Sequence, residues 1–305
     1  MSFSSDIKTE IIANLDDYDI LAMLSAFTKT IGTLNFNING VKVTLKTESN
    51  PIARLIFSNI KKLYAYDCDI KVRHNNNLRK KNIYEVIIGE DVASRFCQDT
   101  RTSTNPFDFD NGIFEDLINT DSKKISFLQG AFLGTGFCYD PSSMYHLEII
   151  FKKENVSNQV KDILQLFQIK SSIFERNENY VLYMKEAETI SDFLSLIKAY
   201  NSVLKFENIR AFKDIKNNVN RRFNFETANL NKTIDASLKQ KIIIEKIEKT
   251  IGLESLDPAL LELAYARIEN PDISLKQLGE MMNPKISKSG VSYRLNKLKK
   301  IADEL

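Results

Sequence analysis

Two short segments of this 305-residue chain share an unusual arrangement: LSAFTKTIG at residues 24–32 and LQGAFLGTG at residues 128–136. Each is an apolar, small-residue helix pattern that runs into a glycine, and Gly32 and Gly136 lie 104 positions apart. The residues just before those glycines are Ile31, which offers no ligand atom, and Thr135, which offers a neutral hydroxyl. Gly130, Ala131, Gly134 and Gly136 in one segment, with Ser25, Ala26 and Gly32 in the other, would let two helix backbones approach closely. Close packing alone therefore accounts for the pattern. Other chemistry-bearing residues are sparse around it. Asp140 and Glu148 follow the second segment, whereas Asp16, Asp17 and Asp19 precede the first, at the wrong end of its helix. His74 and His146 fall one in each half without metal-ligand spacing. Cys68, Cys97 and Cys138 are odd in number and far apart, which fits neither a disulfide framework nor a zinc knuckle. Neither a nucleophile–base constellation nor a Gly-rich phosphate loop is present.

Both segments resemble the LAGLIDADG helix of homing endonucleases, whose eighth position carries a metal-binding Asp or Glu. The resemblance implies two facing helices whose carboxylates hold divalent ions over the scissile phosphates, stabilising the attacking and leaving oxygens. Hard cations need oxygen ligands, charged ones first, and the degenerate positions Ile31 and Thr135 do not supply them. The expectation is a DNA-cutting scaffold without catalytic residues, metal or cofactor. The alternative is a metal-dependent endonuclease that uses displaced acids such as Asp140 or Glu148.

The elements that would position these segments read as an α+β chain: a duplicated αββαββα domain followed by an all-α helix-turn-helix domain. In the first copy a helix over residues 18–31 leads into strands at 33–38 and 41–47, divided by the turn pair Asn39-Gly40. A helix follows Pro51, with Ile52, Leu55, Ile56, Ile60 and Leu63 on one face. Strands at 70–73 and 83–88 flank a polar turn over 74–82, and a short helix at 91–98 closes the copy. The second copy repeats that order with a helix at 126–134, a strand at 145–152 and a helix at 157–167. Strands at 169–175 and 180–184 and a helix at 186–198 complete it. Repetition of the order is more specific than any single propensity. The domain therefore spans residues 1–205, as copies over about 1–98 and 112–205, with residues 99–111 as a loop linker. Beyond 205 the strand signals stop. A basic linker at 206–226 precedes a helical domain at 227–305, with helices expected over 207–220 and 227–252 and a Gly252 stop.

Hydrophobic residues make up 43% of the chain, enough for packed cores, and no apolar run of eighteen suggests a membrane span. The N-terminus lacks a secretory layout, so the reading is a cytoplasmic, nucleoid-associated protein with reduced, buried thiols and no membrane partner. Charge is uneven: residues 1–205 carry 24 Lys+Arg against 26 Asp+Glu, and residues 206–305 carry 18 against 14. The basic C-terminal part suits a phosphate-rich partner.

Its last segment, SLKQLGEMMNPKISKSGVSYRLNKLKKIADEL, reads as two short helices around an Asn283-Pro284 break. Val291, Leu295, Leu298 and Ala302 form one apolar stripe on the second helix. The other face carries Ser289, Ser292, Tyr293, Asn296 and Lys300, with Ser287 at the start and Lys288, Arg294, Lys297 and Lys299 at the flanks. That is the layout of a helix-turn-helix, whose second helix enters the major groove. Small hydroxyls and Asn can read base edges, while lysines reach phosphates. Upstream, Arg210, Lys213, Lys216, Arg221 and Arg222 could follow a DNA backbone, and Lys71, Arg73, Arg79, Lys80 and Lys81 gather at one hairpin. A solvated hairpin tip explains the second cluster equally well, and around the first Asn220, Asn224, Asn229 and Asn231 could instead satisfy backbone groups at helix ends and turns.

Three stretches in order resemble the WhiA family of bacterial transcription regulators: GAFLGTGFCYDPSSMYHLEI at 130–149, NRRFNFETANLNKTIDAS at 220–237 and ISKSGVSYRLNKLKKIA at 286–302. One departure is Phe225, where the family usually has Cys before the Glu. The resemblance implies a catalytically inactive homing-endonuclease scaffold joined to a helix-turn-helix that binds promoter regions of double-stranded DNA. It further implies regulation of sporulation or cell division, with another transcription factor or RNA polymerase as a protein partner. A third expectation gives the N-terminal domain a sensory role, for a small ligand or a protein.

Overall fold

Asp19 accepts a hydrogen bond from the Ala22 amide at 2.8 Å, starting the first motif helix. Thr120 caps the second motif helix in the same way, from the Lys123 amide. In this computed structural model, which describes residues 2–38, 40–74, 82–102 and 112–305, these helices are α2 (Ile20–Ile31) and α5 (Asp121–Thr135). Ala22–Thr28 and Ser126–Leu133 are buried on every side. A helix apolar all round must lie in a core, and α2 packs directly on α5.

Around each motif helix the chain builds the same unit. The first copy contains β1 (Gly32–Asn37), β2 (Gly40–Thr47), α3 (Asn50–Tyr64), β3 (Asp69–His74), β4 (Asn82–Ile88) and α4 (Glu90–Asp99). The second contains β5 (Phe137–Cys138), β6 (Leu147–Phe151), α6 (Glu154–Leu166), β7 (Ser172–Arg176), β8 (Asn179–Met184) and α7 (Ala187–Leu196). Their sheets are antiparallel in the orders β1-β2-β4-β3 and β5-β6-β8-β7. Because strand side chains alternate, Val41, Val43, Leu45, Val86 and Ile88 meet the core helices in one copy. Leu147, Ile149, Phe151, Leu182 and Met184 do so in the other. The duplicated topology expected from the sequence is present.

Three features differ from the expectation. A helix, α1 (Phe3–Ala13), precedes the first copy; Ser2 caps it, and Phe3, Ile7 and Ile11 bury one face. Strand β5, which the strand expected at 145–152 does not cover, is present but only two residues long, because the chain leaves the sheet for a turn at Asp140 and Pro141, where proline has no amide to donate. Finally, one helix, α8 (Tyr200–Ile251), runs through the segment expected as two helices and a basic linker. It contains neither Gly nor Pro, and each Asn costs only about 0.7 kcal/mol of helix propensity. Nothing in it breaks the hydrogen-bond ladder until Gly252, whose φ of 79° ends it. The Asn39 turn position, residues 75–81 with Arg79, Lys80 and Lys81, and most of the 99–111 linker lie outside the described residues.

The chain divides into two compact units, Met1–Lys213 and Asp214–Leu305. In the second, α9 (Pro258–Glu269), α10 (Leu275–Met281) and α11 (Lys288–Glu304) pack with Ile244 and Ile247 of α8. Pro258 opens α9, though Asp257 makes no side-chain cap. Ser274 and Gln277 form a reciprocal capping box at the start of α10.

Candidate functional site

The two motif helices meet through their small residues. A Cβ on Gly130 would stand 2.7 Å from the Met23 carbonyl oxygen and 2.9 Å from Ala26 Cβ, and one on Gly134 would collide with Thr30. Gly32 and Gly136 both have extended backbone, so neither is present for a left-handed turn. Each is needed because a Cβ there would run into the preceding helical turn, at Thr28 and Phe132 respectively.

At the end of α5 the Thr135 hydroxyl performs a structural task. It donates to the Ile150 carbonyl at 2.7 Å and accepts from the Ile150 amide at 3.2 Å. β5 pairs with β6 through Phe137–Glu148 and Cys138–Leu147, so Thr135 continues that ladder by one step with a side chain. A carboxylate can accept there but cannot donate. Ile31, at the matching position of α2, is half-buried against the core.

Each helix end also receives a lysine from elsewhere in the fold. Lys8 of α1 donates to the Leu133 carbonyl at 3.1 Å, and Lys152 donates to the Gly32 carbonyl at 2.6 Å. Ammonium groups suit the partial negative charge of helix C-termini. Burial pushes Lys8 down to about 8, opposed by nearby Glu48. Burial, then repulsion from Lys46, holds Lys152 below the ordinary lysine range. Cations thus occupy the surroundings of both degenerate positions.

The candidate displaced acids are engaged separately. Asp140 accepts from the Ser142 amide at 2.8 Å and its hydroxyl at 2.5 Å, which hold its carboxyl below the usual range. Glu148 is buried on β6 between Arg176 at 3.3 Å and His146 Nε2 at 3.5 Å. Asp19 caps the far end of α2. The three thiols are buried and unpaired. Burial pushes Cys68 and Cys138 up to about 12 and Cys97 up to about 11. Among the described residues, no group of three or more His, Cys, Asp or Glu could hold a metal ion.

The two sheets present different outer faces. On the first, Glu85 is buried between Lys46 at 3.3 Å and Arg73 at 3.2 Å, with Lys71 exposed alongside. On the second, rings dominate. Phe137 meets Tyr139 edge-on at 4.9 Å, Tyr139 meets His146 at 5.3 Å, His146 stacks on Tyr183 at 6.0 Å, and Phe174 meets Tyr183 at 5.3 Å.

In the second unit, Ser287 caps α11 by accepting from the Gly290 amide at 3.2 Å, and its hydroxyl lies 2.9 Å from that of Ser289. Val291, Leu295, Leu298 and Ala302 are buried, whereas Lys288, Ser289, Tyr293, Asn296, Lys297 and Lys300 are exposed. Ser292 and Arg294 are half-buried, and Arg294 donates to the Ala259 carbonyl at 3.3 Å. The turn is tight at Gly279, where a Cβ would strike the Ile286 carbonyl. Arg267 is buried on α9 and donates to the carbonyls of Asn270 and Ile273, in the connection to α10. On α8, Arg221 bonds Asn218 at 2.8 Å and Arg222 bonds Glu226 at 3.0 Å, both exposed. Lys213 instead caps the Pro141 carbonyl at 2.7 Å and lies over the Tyr145 ring. Phe225 is exposed on the same helix.

Sequence reading missed Lys8, Lys152 and the ring layer. The Phe3, Ile7, Ile11 spacing after Ser2 was a usable signal for the helix that carries Lys8. Nothing local marks Lys152 or the rings, which meet only through strand register.

Known proteins give a consistent match. Family models match three consecutive stretches: the WhiA N-terminal LAGLIDADG-like domain at residues 19–102, the WhiA LAGLIDADG-like domain at 124–216 and the WhiA C-terminal HTH domain at 219–302. Relatives named "Probable cell division protein WhiA" from Clostridium tetani and Clostridium acetobutylicum are 38% and 40% identical, over 100% of this chain and 98% of each relative. A crystal structure of full-length WhiA from Thermatoga maritima is similar in fold. It aligns over 100% of this chain and 99% of its own, with a TM-score of 0.59 and 24% identity.

Proposed function

The chain belongs to the WhiA family, and from that premise we propose that it is a DNA-binding regulator of transcription for cell division. In this reading α11 enters the major groove of promoter DNA, and the duplicated domain supports binding without hydrolysing the strand. One observation carries the reading: the exposed row of Ser289, Tyr293, Asn296, Lys297 and Lys300 lies opposite the buried stripe of α11. A helix of this length spans about 25 Å, and the groove, about 12 Å wide, admits it. In this reading Asn296 pairs bidentately with adenine, with Ser289, Ser292 and Tyr293 beside it. Lys288, Lys297, Lys300 and the free donors of Arg294 take phosphates, as do Arg221 and Arg222 on α8. Ser287 contributes by fixing the helix start. Regulation of sporulation, and a protein partner such as a second transcription factor or RNA polymerase, belong to the same reading.

The test begins with genomic duplexes selected by the full chain, then measures their affinity by fluorescence anisotropy across a salt series. Replacing both Lys297 and Lys300 with Ala weakens every duplex alike and lowers the log–log salt slope by about 1 per lysine. Asn296→Ala relaxes discrimination at one base by about 1–3 kcal/mol. Unchanged slopes in the lysine variant would remove α11 from the DNA.

A further inference from the structure

The outer face of the second sheet carries a continuous layer of rings, drawn from β5, the β5–β6 turn, β6's leading edge, β8 and β7. Register puts them on one side: Phe137 pairs with Glu148, Glu148 with Tyr183, and Tyr183 with Ser172, two residues before Phe174. The Tyr139 amide bonds the His146 carbonyl at 2.9 Å, which brings those two rings into line. Phe137, Tyr139 and Phe174 remain 36–40% exposed. Two cations bracket the layer, Lys185 over Tyr183 at 4.9 Å and Arg176 over Phe174 at 5.8 Å. The acid within it, Glu148, is buried and paired to Arg176 and His146. Among the described residues, the first sheet, built on the same topology, shows charges at this face and no such layer.

We propose that this ring layer is a stacking platform for unpaired bases, so that the duplicated domain binds a single strand of nucleic acid while the helix-turn-helix binds the duplex. Partly exposed rings on a four-stranded sheet, rimmed by cations, are the means by which unpaired bases are held without sequence choice. Bases inside a duplex are stacked on one another and cannot offer their faces to a ring. Lys185 and Arg176 reach the phosphates between stacked bases. A protein partner would fit the rings but would gain nothing from the flanking cations unless it were acidic. The proposal rests on nucleic acid being the ligand of this chain, but not on α11 reading it.

The test uses the full-length protein, a fluorescein-labelled oligothymidine of about 20 nucleotides, long enough for one such platform, and a duplex of equal length. Each ring removed (Phe174→Leu, Tyr139→Leu) weakens strand binding about 5- to 150-fold, the equivalent of about 1–3 kcal/mol per stacked base, and leaves duplex affinity unchanged. Lys185→Glu, an exposed change that does not threaten folding, weakens the strand and lowers its salt slope. Tyr139→Phe binds as wild type. The chain has no Trp, and two of its 11 Tyr lie in the layer. The part of the tyrosine emission lost with Tyr183→Phe therefore reports stacking there: an unlabelled strand quenches it in wild type, and the variant shows a smaller quench at unchanged affinity. Strand binding that survives both leucine changes and Lys185→Glu overturns the proposal. So does a parallel loss of strand and duplex, or a leucine variant that alters the sedimenting mass but not strand affinity, which would mark a protein interface. Loss of duplex binding in α11 variants alone defeats or supports only the helix-turn-helix reading.

Discussion

Putting the acid back at the second motif position should damage the fold and not restore a metal site. Thr135 Oγ1 both donates to and accepts from Ile150, at 2.7 and 3.2 Å. In Thr135→Asp the ionised carboxylate keeps the amide but sets an oxygen against the Ile150 carbonyl. An unsatisfied acceptor in this half-buried place costs about 1–2 kcal/mol, the lower part of the range for buried groups, and a negative charge at a helix C-terminus adds about 0.3–1 kcal/mol. Lys8, on the Leu133 carbonyl of the same helix end, offsets part of the second quantity. The expected loss is about 1–3 kcal/mol. Thr135→Val loses both bonds and falls by a similar amount, whereas Thr135→Ser keeps both and loses less than about 1 kcal/mol. The sign with pH is distinctive. A carboxyl that can donate only when protonated has its folded pKa raised, so the deficit of the Asp variant appears as pH rises through that pKa and shrinks in acid. Because the chain has two units, one melting curve does not suffice; hydrogen exchange at the Ile150 amide reports the site locally. Faster exchange is expected in Val, which drops the amide's acceptor, but not in Ser. It is also expected in Asp, where the strained contact with the Ile150 carbonyl makes local opening more frequent although the amide bond is kept. An Asp variant as protected as wild type, or one stabilised by millimolar magnesium, would refute the reasoning.

Gly130→Val pushes α2 from α5, because its Cβ would meet the Met23 carbonyl at 2.7 Å; overpacking of this kind costs about 1–3 kcal/mol or more and is read as a fall in the thermal midpoint of the first unit. Lys8→Met raises stability at neutral pH. Its folded pKa of about 8 lies below the unfolded lysine value, so wild-type stability climbs as pH rises from about 8 to 10.5, and the variant loses that climb in parallel melts. Ser274→Ala removes the capping box of α10 and costs about 0.5–2 kcal/mol, measured as a lower midpoint for the second unit. Gly279→Ala sets a Cβ against the Ile286 carbonyl and is expected to lose duplex affinity along with that midpoint.

Much of the fold was legible because both periodicities are strong. Ile52, Ile56 and Ile60 announce α3, and the alternation in Val41, Val43 and Leu45 announces β2; the structure puts each where the pattern does. The repeated order of elements then exposes the duplication. Helix α8 was misread because its Asn-rich middle looks like turns, yet helices end on lost hydrogen bonds, and no Pro or Gly interrupts this one before Gly252. The role of Thr135 was invisible for a different reason. Sequence shows that a ligand is missing there, but only register shows that the hydroxyl completes a strand ladder. Lys8 and Lys152 reach helix ends 125 and 120 residues away in sequence, and no local pattern encodes such pairings. The α11 stripe was legible because Val291, Leu295, Leu298 and Ala302 lie on a single helix, where spacing alone defines a face.

The central claim, an endonuclease-like scaffold that grips DNA without cutting it, is met most directly by one gel. Purified full-length protein is incubated with supercoiled plasmid and millimolar magnesium or manganese, and the DNA is run before and after removal of protein. The account predicts retarded plasmid that returns fully supercoiled once the protein is stripped. Nicked circles that accumulate with time and vanish in Asp140→Asn or Glu148→Gln would contradict it.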